Sequence, residues 1–183
     1  MTTRGRRDPV DGSGTVRRSG SRRLLLLDGP TSAALPSRGQ VAVTATIDGS
    51  RADVVIEPDG QRGHWIPLDE RWPDTAGHPD GEVLTVHLVP SEEWPEPDVP
   101  DDLATALEDA EDAIGEQWQD ITPMARWEWV RWVGATRSET TRAKRVGVAV
   151  DKLRKGSRRP CCFDLSSCTD PELARSGKLR LEG

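Results

Sequence analysis

Residues 40–47, QVAVTATI, set Val41, Val43, Ala45 and Ile47 against Ala42, Thr44 and Thr46. That period of two predicts a strand with one face on a core. Asp48-Gly49 follows, a dipeptide suited to the positive φ angles of a tight hairpin turn. Residues 52–57 (ADVVIE) return as the partner strand, and Pro58-Asp59-Gly60 turns the chain again. Short strands are also expected at Leu24 to Leu27, Gly63 to Leu68 and Val83 to Val89. Closely spaced strands with glycine turns favour a small antiparallel β-barrel or curled sheet over an alternating α/β sheet.

Beyond Pro95, Pro97 and Pro100 the period changes. Asp101 is a cap candidate for a helix in which Leu103, Leu107, Ala110 and Ile114 share a face, with Gly115 weakening its end. Thr122-Pro123 announces a second helix carrying Met124, Trp127, Trp129, Val130, Trp132 and Val133. Steps of about 100° per residue spread its tryptophans around more than half the helix, so at least one meets another element or a ligand. A third helix starts near Ser138 and runs to Lys155-Gly156, with Ala143, Val146, Val150 and Leu153 on one side. The fold class is therefore α+β: a small antiparallel barrel or curled sheet, then a three-helix unit.

The ends lack periodicity. Residues 1–23 hold seven arginines and almost nothing apolar, which predicts a disordered basic tail. Residues 157–183 are punctuated by Gly, Ser and Pro and are expected to be irregular. The expected divisions are a tail at 1–23, a barrel-like domain at 24–90, an acidic linker at 91–100, helices at 101–156 and a second tail at 157–183.

Charge sharpens the division. Ser91 to Asp120 carries twelve acidic residues and no Lys or Arg, whereas Ile121 to Arg159 carries eleven basic and three acidic. Over all 183 residues the balance is 25 basic to 31 acidic, net −6, which argues against a general nucleic-acid or anionic-membrane binder. The longest apolar run, Leu24 to Leu27, is far too short to span a bilayer. With no apolar signal stretch at the amino end and only three cysteines, the expected address is the cytoplasm.

No catalytic signature emerges. Cys161, Cys162 and Cys168 have the wrong spacing for a zinc site and no nearby His. Neither G-x-S-x-G nor a phosphate-binding glycine loop is present. Paired carboxylates such as Glu92-Glu93 fall in the linker. No catalytic residue, metal ligand or cofactor is assigned. His64 and Trp65 occupy adjacent strand positions, so one faces inward and the other outward; an exposed His64 beside a barrel mouth could touch a ligand. Trp129 and Trp132 could form a wall of a pocket, and Arg142 and Arg145 could hold a phosphate or carboxylate. His87, opposite in parity to Val86 and Leu88, is expected to face solvent.

The motifs VPDDLATAL, Trp118, ITPMARWEWVRWV and ETTRAKRV, between Val99 and Gly156, resemble the YdeI/OmpD-associated family of bacteriocin-protection proteins. Thr141, Arg142 and Arg145 match the family pattern, while its Ala-Lys and following Pro are absent from WVRWVGATRSETTR. VAVTATIDG, GHWIPL and DGEVLTVHLV resemble the small β-barrel domain of unknown function that often precedes this helical unit. At its front, only Arg23 to Asp28 stands where the family barrel has a longer strand pair, so a trimmed or open barrel is expected. The resemblance implies a cytoplasmic bacterial protein linked to stress or bacteriocin tolerance, and supplies no catalytic residue.

The reading is a non-enzymatic binding or interaction module whose partner, a small molecule or a protein, is unknown. Two alternatives stand beside it: an enzyme using His64 with Arg142 or Arg145 on a small anionic ligand, and a nucleic-acid-binding helical module, which the acidic first helix disfavours.

Overall fold

The computed structural model describes residues 8–69, 71–160 and 170–181. They fall into two units: one holds the chain as far as Pro95 together with Leu173 onward, and the other begins at Glu96.

The first unit is a closed six-stranded antiparallel barrel. Its strands are β1 (Val10–Ser19), β2 (Arg22–Leu27), β3 (Val41–Ile47), β4 (Ser50–Pro58), β5 (His64–Pro67) and β6 (Val83–Pro90). They run around the barrel in the order β1-β2-β5-β4-β3-β6, and β6 closes the circle by pairing with β1. The β3–β4 hairpin forms as the sequence predicts: Ile47 pairs with Ser50, and Asp48 and Gly49 take φ of 48° and 81°. Val41, Val43, Ala45 and Ile47 all point into the core.

The front of the barrel departs from expectation. The stretch from Val10 to Arg23 is not a tail but supplies β1 and the start of β2, so the barrel is closed rather than trimmed. The inward positions of β1 include Val10, Gly12, Gly14 and Val16, and the two glycines hid the apolar alternation. Both are there for space. A Cβ on Gly12 would lie 1.9 Å from Thr31 Oγ1, and one on Gly14 would lie 2.7 Å from Leu25 Cγ.

Each end of the barrel is plugged by a connection. Helix α1 (Gly29–Ala34) links the end of β2 to the start of β3, with Asp28 accepting from Thr31 N at 2.7 Å as its cap. It buries Thr31 and Ser32, and Leu35 beyond it joins the core. At the opposite end, the link from β5 to β6 inserts Trp72, 1% exposed, just before a 3-10 turn at Pro73–Gly77. Arg23 ties that link down by donating to the carbonyls of Thr75 (2.6 Å) and His78 (2.9 Å). The carboxyl-terminal segment, expected to be irregular, forms a hairpin of β7 (Ala174–Arg175) and β8 (Lys178–Leu179).

Among the described residues the second unit is a bundle of four helices: α2 (Asp101–Glu108), α3 (Asp112–Asp120), α4 (Pro123–Gly134) and α5 (Glu139–Arg154). The predicted first helix is thus two, with Gly115 inside the second. The restart places Asp112 in the first turn of α3, negative charge at a helix amino end where the dipole favours it. Thr122 caps α4 through Ala125 N (3.2 Å) as predicted, and Ser138, where the third helix was expected to start, caps α5 through Thr141 N (3.2 Å). The core joins Leu103, Ile114, Trp118, Ile121, Ala125, Trp129, Val133, Val146, Ala149 and Leu153. Ala149 takes the place expected of Ala143, which is exposed.

Candidate functional site

His64 and Trp65 belong to the barrel unit; Trp129, Trp132, Arg142 and Arg145 belong to the helical unit. His64 is the inward member of its pair and is fully buried, so it presents nothing at the surface. Its Nδ1 lies 2.7 Å from Ser32 Oγ and its Nε2 lies 3.0 Å from the Gly39 carbonyl oxygen. The Gly39 carbonyl can only accept, so Nε2 carries the proton and Ser32 donates to Nδ1. Burial pushes the imidazole pKa below its ordinary value, with the Gly39 contact opposing the shift. Trp65 faces outward but is covered: Leu173 and Leu179 of the terminal hairpin pack on it and on Leu24.

In the helical unit, Trp129 is completely buried and donates Nε1–H to the Arg158 carbonyl at 3.2 Å. Trp132 is half-buried and meets Trp129 edge to face, with ring centroids 6.0 Å apart and planes at 82°. The Arg145 guanidinium carbon sits 5.4 Å from the Trp132 ring centroid, and its Nη1 donates to the Trp132 carbonyl at 2.7 Å. These three candidates form one array. Arg142 does not join it: its Nε and Nη2 engage the Asp102 carboxylate at 2.6 and 2.8 Å. The pairing lowers the Asp102 pKa and raises that of Arg142.

Three arrangements escaped sequence reasoning. Arg126, 8% exposed, donates to both oxygens of Glu96 and to the carbonyls of Trp118, Gln119 and Ile121. Glu128 is buried on α4, its pKa raised by desolvation, with Arg159 3.2 Å away opposing the shift. On the barrel, Asp11, Gly12, Thr46, Asp48, Gly49, Thr85, Val86 and His87 line an open groove of about 500 Å³. His87 does face solvent, and its Nδ1 lies 2.6 Å from Asp11 Oδ1. The signal for that pair was pairing register, which spacing along one strand does not carry.

Among the described residues, no three His, Cys, Asp or Glu side chains are grouped to hold a metal ion. Cys161, Cys162 and Cys168 lie outside the described residues. No described helix is long and apolar enough to cross a membrane.

Comparison with known proteins agrees with this division. Residues 13–88 match the family model of DUF1905, a domain of unknown function, and span all of the barrel's strands in whole or part. Residues 96–156 match the model described as "Bacteriocin-protection, YdeI or OmpD-Associated" and enclose all four helices of the bundle. No curated protein matches the chain. The chain therefore carries an amino-terminal DUF1905 domain and, after it, a region matching the YdeI/OmpD-associated, bacteriocin-protection family.

Proposed function

We propose that the protein is a non-enzymatic binding module serving stress or bacteriocin tolerance, and that its helical unit engages a carboxylate-bearing partner through Trp132 and Arg145. The observation that carries this reading is the Trp129–Trp132–Arg145 array. Trp129 fixes the Trp132 ring from beneath, and the Trp132 carbonyl fixes the guanidinium over its indole. A half-buried indole with a cation held over it offers apolar area and charge with little rotamer entropy to lose, and Trp and Arg are the residue types that dominate binding energy at interfaces. The description of the family matched by residues 96–156 supports the link to bacteriocin tolerance.

The alternatives have less support. An enzyme using His64 would need a base whose two nitrogens are already engaged by Ser32 and Gly39. A nucleic-acid surface would need the cations of α5 and the segment after it, yet Arg142, Lys155, Arg158 and Arg159 are paired with Asp102, Asp151, Asp120 and Glu128.

The test is a bacteriocin challenge of cells expressing the wild type, Trp132→Ala or Arg145→Gln, with protein levels matched. Protection by the wild type that falls with both variants supports the reading. Equal protection by all three removes the proposed surface, and no protection by the wild type removes the tolerance link.

A further inference from the structure

The link between β5 and β6, which plugs one end of the barrel with Trp72, is fastened by a histidine. His78 sets Nε2 2.9 Å from Asp48 Oδ2 and Nδ1 3.0 Å from Glu82 Oε2. Both partners are anchored to strands. Asp48 sits in the β3–β4 turn, next to the Ile47–Ser50 pair. Glu82 is held to β1: its carbonyl accepts from Val16 N at 2.8 Å, while Gly81 N donates to the Val16 carbonyl at 2.8 Å. The imidazole thus bridges the turn on one side and the start of β6 on the other.

That bridge depends on one proton. A carboxylate oxygen only accepts, so both ring nitrogens must donate, and only the imidazolium can do so. A neutral ring would turn a lone pair on one of the two carboxylates. The other charged groups of the elements packed here bond elsewhere. Asp74 accepts from Ser50 Oγ at 2.5 Å and Asp80 from Arg18 N at 2.7 Å, Arg71 pairs with Asp69, and Arg23 reaches the carbonyls of Thr75 and His78. The bonds to Asp48 and then Glu82 hold the His78 pKa above its ordinary value, with desolvation opposing them.

The plug itself is incompletely satisfied. Trp72, 1% exposed, buries Nε1–H without an acceptor, and Arg23 Nε is likewise buried and unpaired. A buried donor without a partner costs free energy that contact with water would restore. Opening the link is therefore opposed by the apolar burial of the indole and favoured by hydration of two donors. We infer that the β5–β6 link is a proton-operated latch on this end of the barrel: the His78 imidazolium holds it shut between Asp48 and Glu82, and loss of the proton lets it open and admit water to Trp72. The closed latch binds the proton more tightly than an open one, in which the imidazole returns to its ordinary value of about 6.5, so rising pH favours opening.

Native-state hydrogen exchange of the full chain, read by NMR from about pH 6 to 8.5, tests this. The amides of Thr75 and His78, which donate within the link to the carbonyls of Trp72 and Thr75, report its opening, and those of β3 report unfolding of the whole barrel. The expected result is a ratio of link to β3 protection that falls about threefold or more as the His78 ring, followed by its own signals, loses its proton. Asp48→Asn removes one charge yet suits the φ of 48° at that position, and should move the ring titration and the fall in protection to lower pH together. His78→Gln can donate to one carboxylate at most, and should leave the ratio low and flat with pH. Because protection is taken relative to β3, a general loss of stability in a variant does not mimic the latch. The inference is overturned by link protection that follows β3 at every pH, by a fall that persists in His78→Gln, or by a His78 titration that leaves the ratio unmoved.

Discussion

Arg126 holds Glu96 in a two-pronged grip, Nε to Oε2 at 2.8 Å and Nη2 to Oε1 at 2.5 Å, while its remaining nitrogen gathers the carbonyls that end α3. The two partners are unequal. The Arg126 side chain is 9% exposed and that of Glu96 63%, so water screens the carboxylate more than the guanidinium's other contacts. The worth of Arg126 therefore lies mainly in the carbonyls of Trp118 and Ile121, which helix α3 leaves without intrahelical partners.

Replacing Arg126 should show that imbalance. Arg126→Ala removes every one of these bonds and leaves buried carbonyls unsatisfied, with an expected loss of about 3 kcal/mol. Glu96→Gln keeps the carbonyl contacts and should cost about 1 kcal/mol or less. Arg126→Lys keeps the charge but not the fork, and should fall nearer to Ala than to wild type. Urea unfolding midpoints of the three variants measure this; equal losses for Arg126→Ala and Glu96→Gln would place the energy in the ion pair instead.

Two histidines of the barrel should respond to pH in opposite senses. Burial holds the His64 pKa below its unfolded value of about 6.5. The unfolded chain then binds the proton first, so the stability His64 contributes is present above about pH 6.5 and is lost as pH falls through the folded value. His78 is raised, first by its bond to Asp48 and then by Glu82, so its contribution is present below about pH 6.5 and lost as pH rises through its folded value. Urea midpoints at mildly acid and mildly alkaline pH should show His64→Gln flattening the acid side of the profile and His78→Gln the alkaline side. His78 is half-buried but its partners Asp48 and Glu82 are exposed, so its arm should also shrink with added salt.

How far the sequence revealed the fold depended on what fills each position. The β3–β4 hairpin was legible because apolar alternation, Asp48-Gly49 and a second apolar run agree locally. Strand β1 was not, because glycine occupies two of its core-facing positions and the apolar volume there comes from Thr31 and Leu25, distant in the chain. The caps of α4 and α5 were legible from Thr122-Pro123 and Ser138. The break between α2 and α3 was masked by the apolar spacing of Leu103 to Ile114, which runs across it. Among the candidate residues, proximity in sequence placed Trp129 near Trp132 but could not tell that Arg145 joins them while Arg142 turns to Asp102.

The Gly12 position should be sensitive to a single methyl group. Gly12→Ala sets a Cβ 1.9 Å from Thr31 Oγ1, beside the plug helix, and the expected cost is about 2 kcal/mol from overpacking. Thr31→Ala alone loses the Thr31 hydroxyl, which accepts from Ser13 N at 3.1 Å, at about 1 kcal/mol. Together they should cost less than their sum, because Thr31→Ala removes the two nearest atoms that Gly12→Ala strikes, Oγ1 and Cγ2, and leaves only the Thr31 Cβ at 2.8 Å. Thermal unfolding of the two single variants and the double variant checks this; strict additivity would mean that the strand moves away from the helix rather than clashing with it.

The terminal hairpin should prove part of the barrel, although it follows the helical unit in sequence. Leu179 N donates to the Asp59 carbonyl at 2.8 Å, and Ser19 Oγ donates to the Arg180 carbonyl at 3.2 Å. Gly60 permits the approach, since a Cβ there would lie 1.8 Å from the Gly177 oxygen. The apolar gain is on the outer face: Leu173 is 1% and Leu179 6% exposed, and they seal Leu24 at 0% and Trp65 at 3%. Burying such side chains is worth roughly 1.5–3 kcal/mol each, so deleting residues 173–183 should cost the barrel about 3 kcal/mol or more and uncover Trp65. The readout is tryptophan emission, compared with and without Trp65→Phe in the shortened chain. A red-shifted component that disappears with Trp65→Phe is expected. Emission and stability unchanged by the deletion would show that the barrel closes and protects Trp65 without its carboxyl-terminal hairpin.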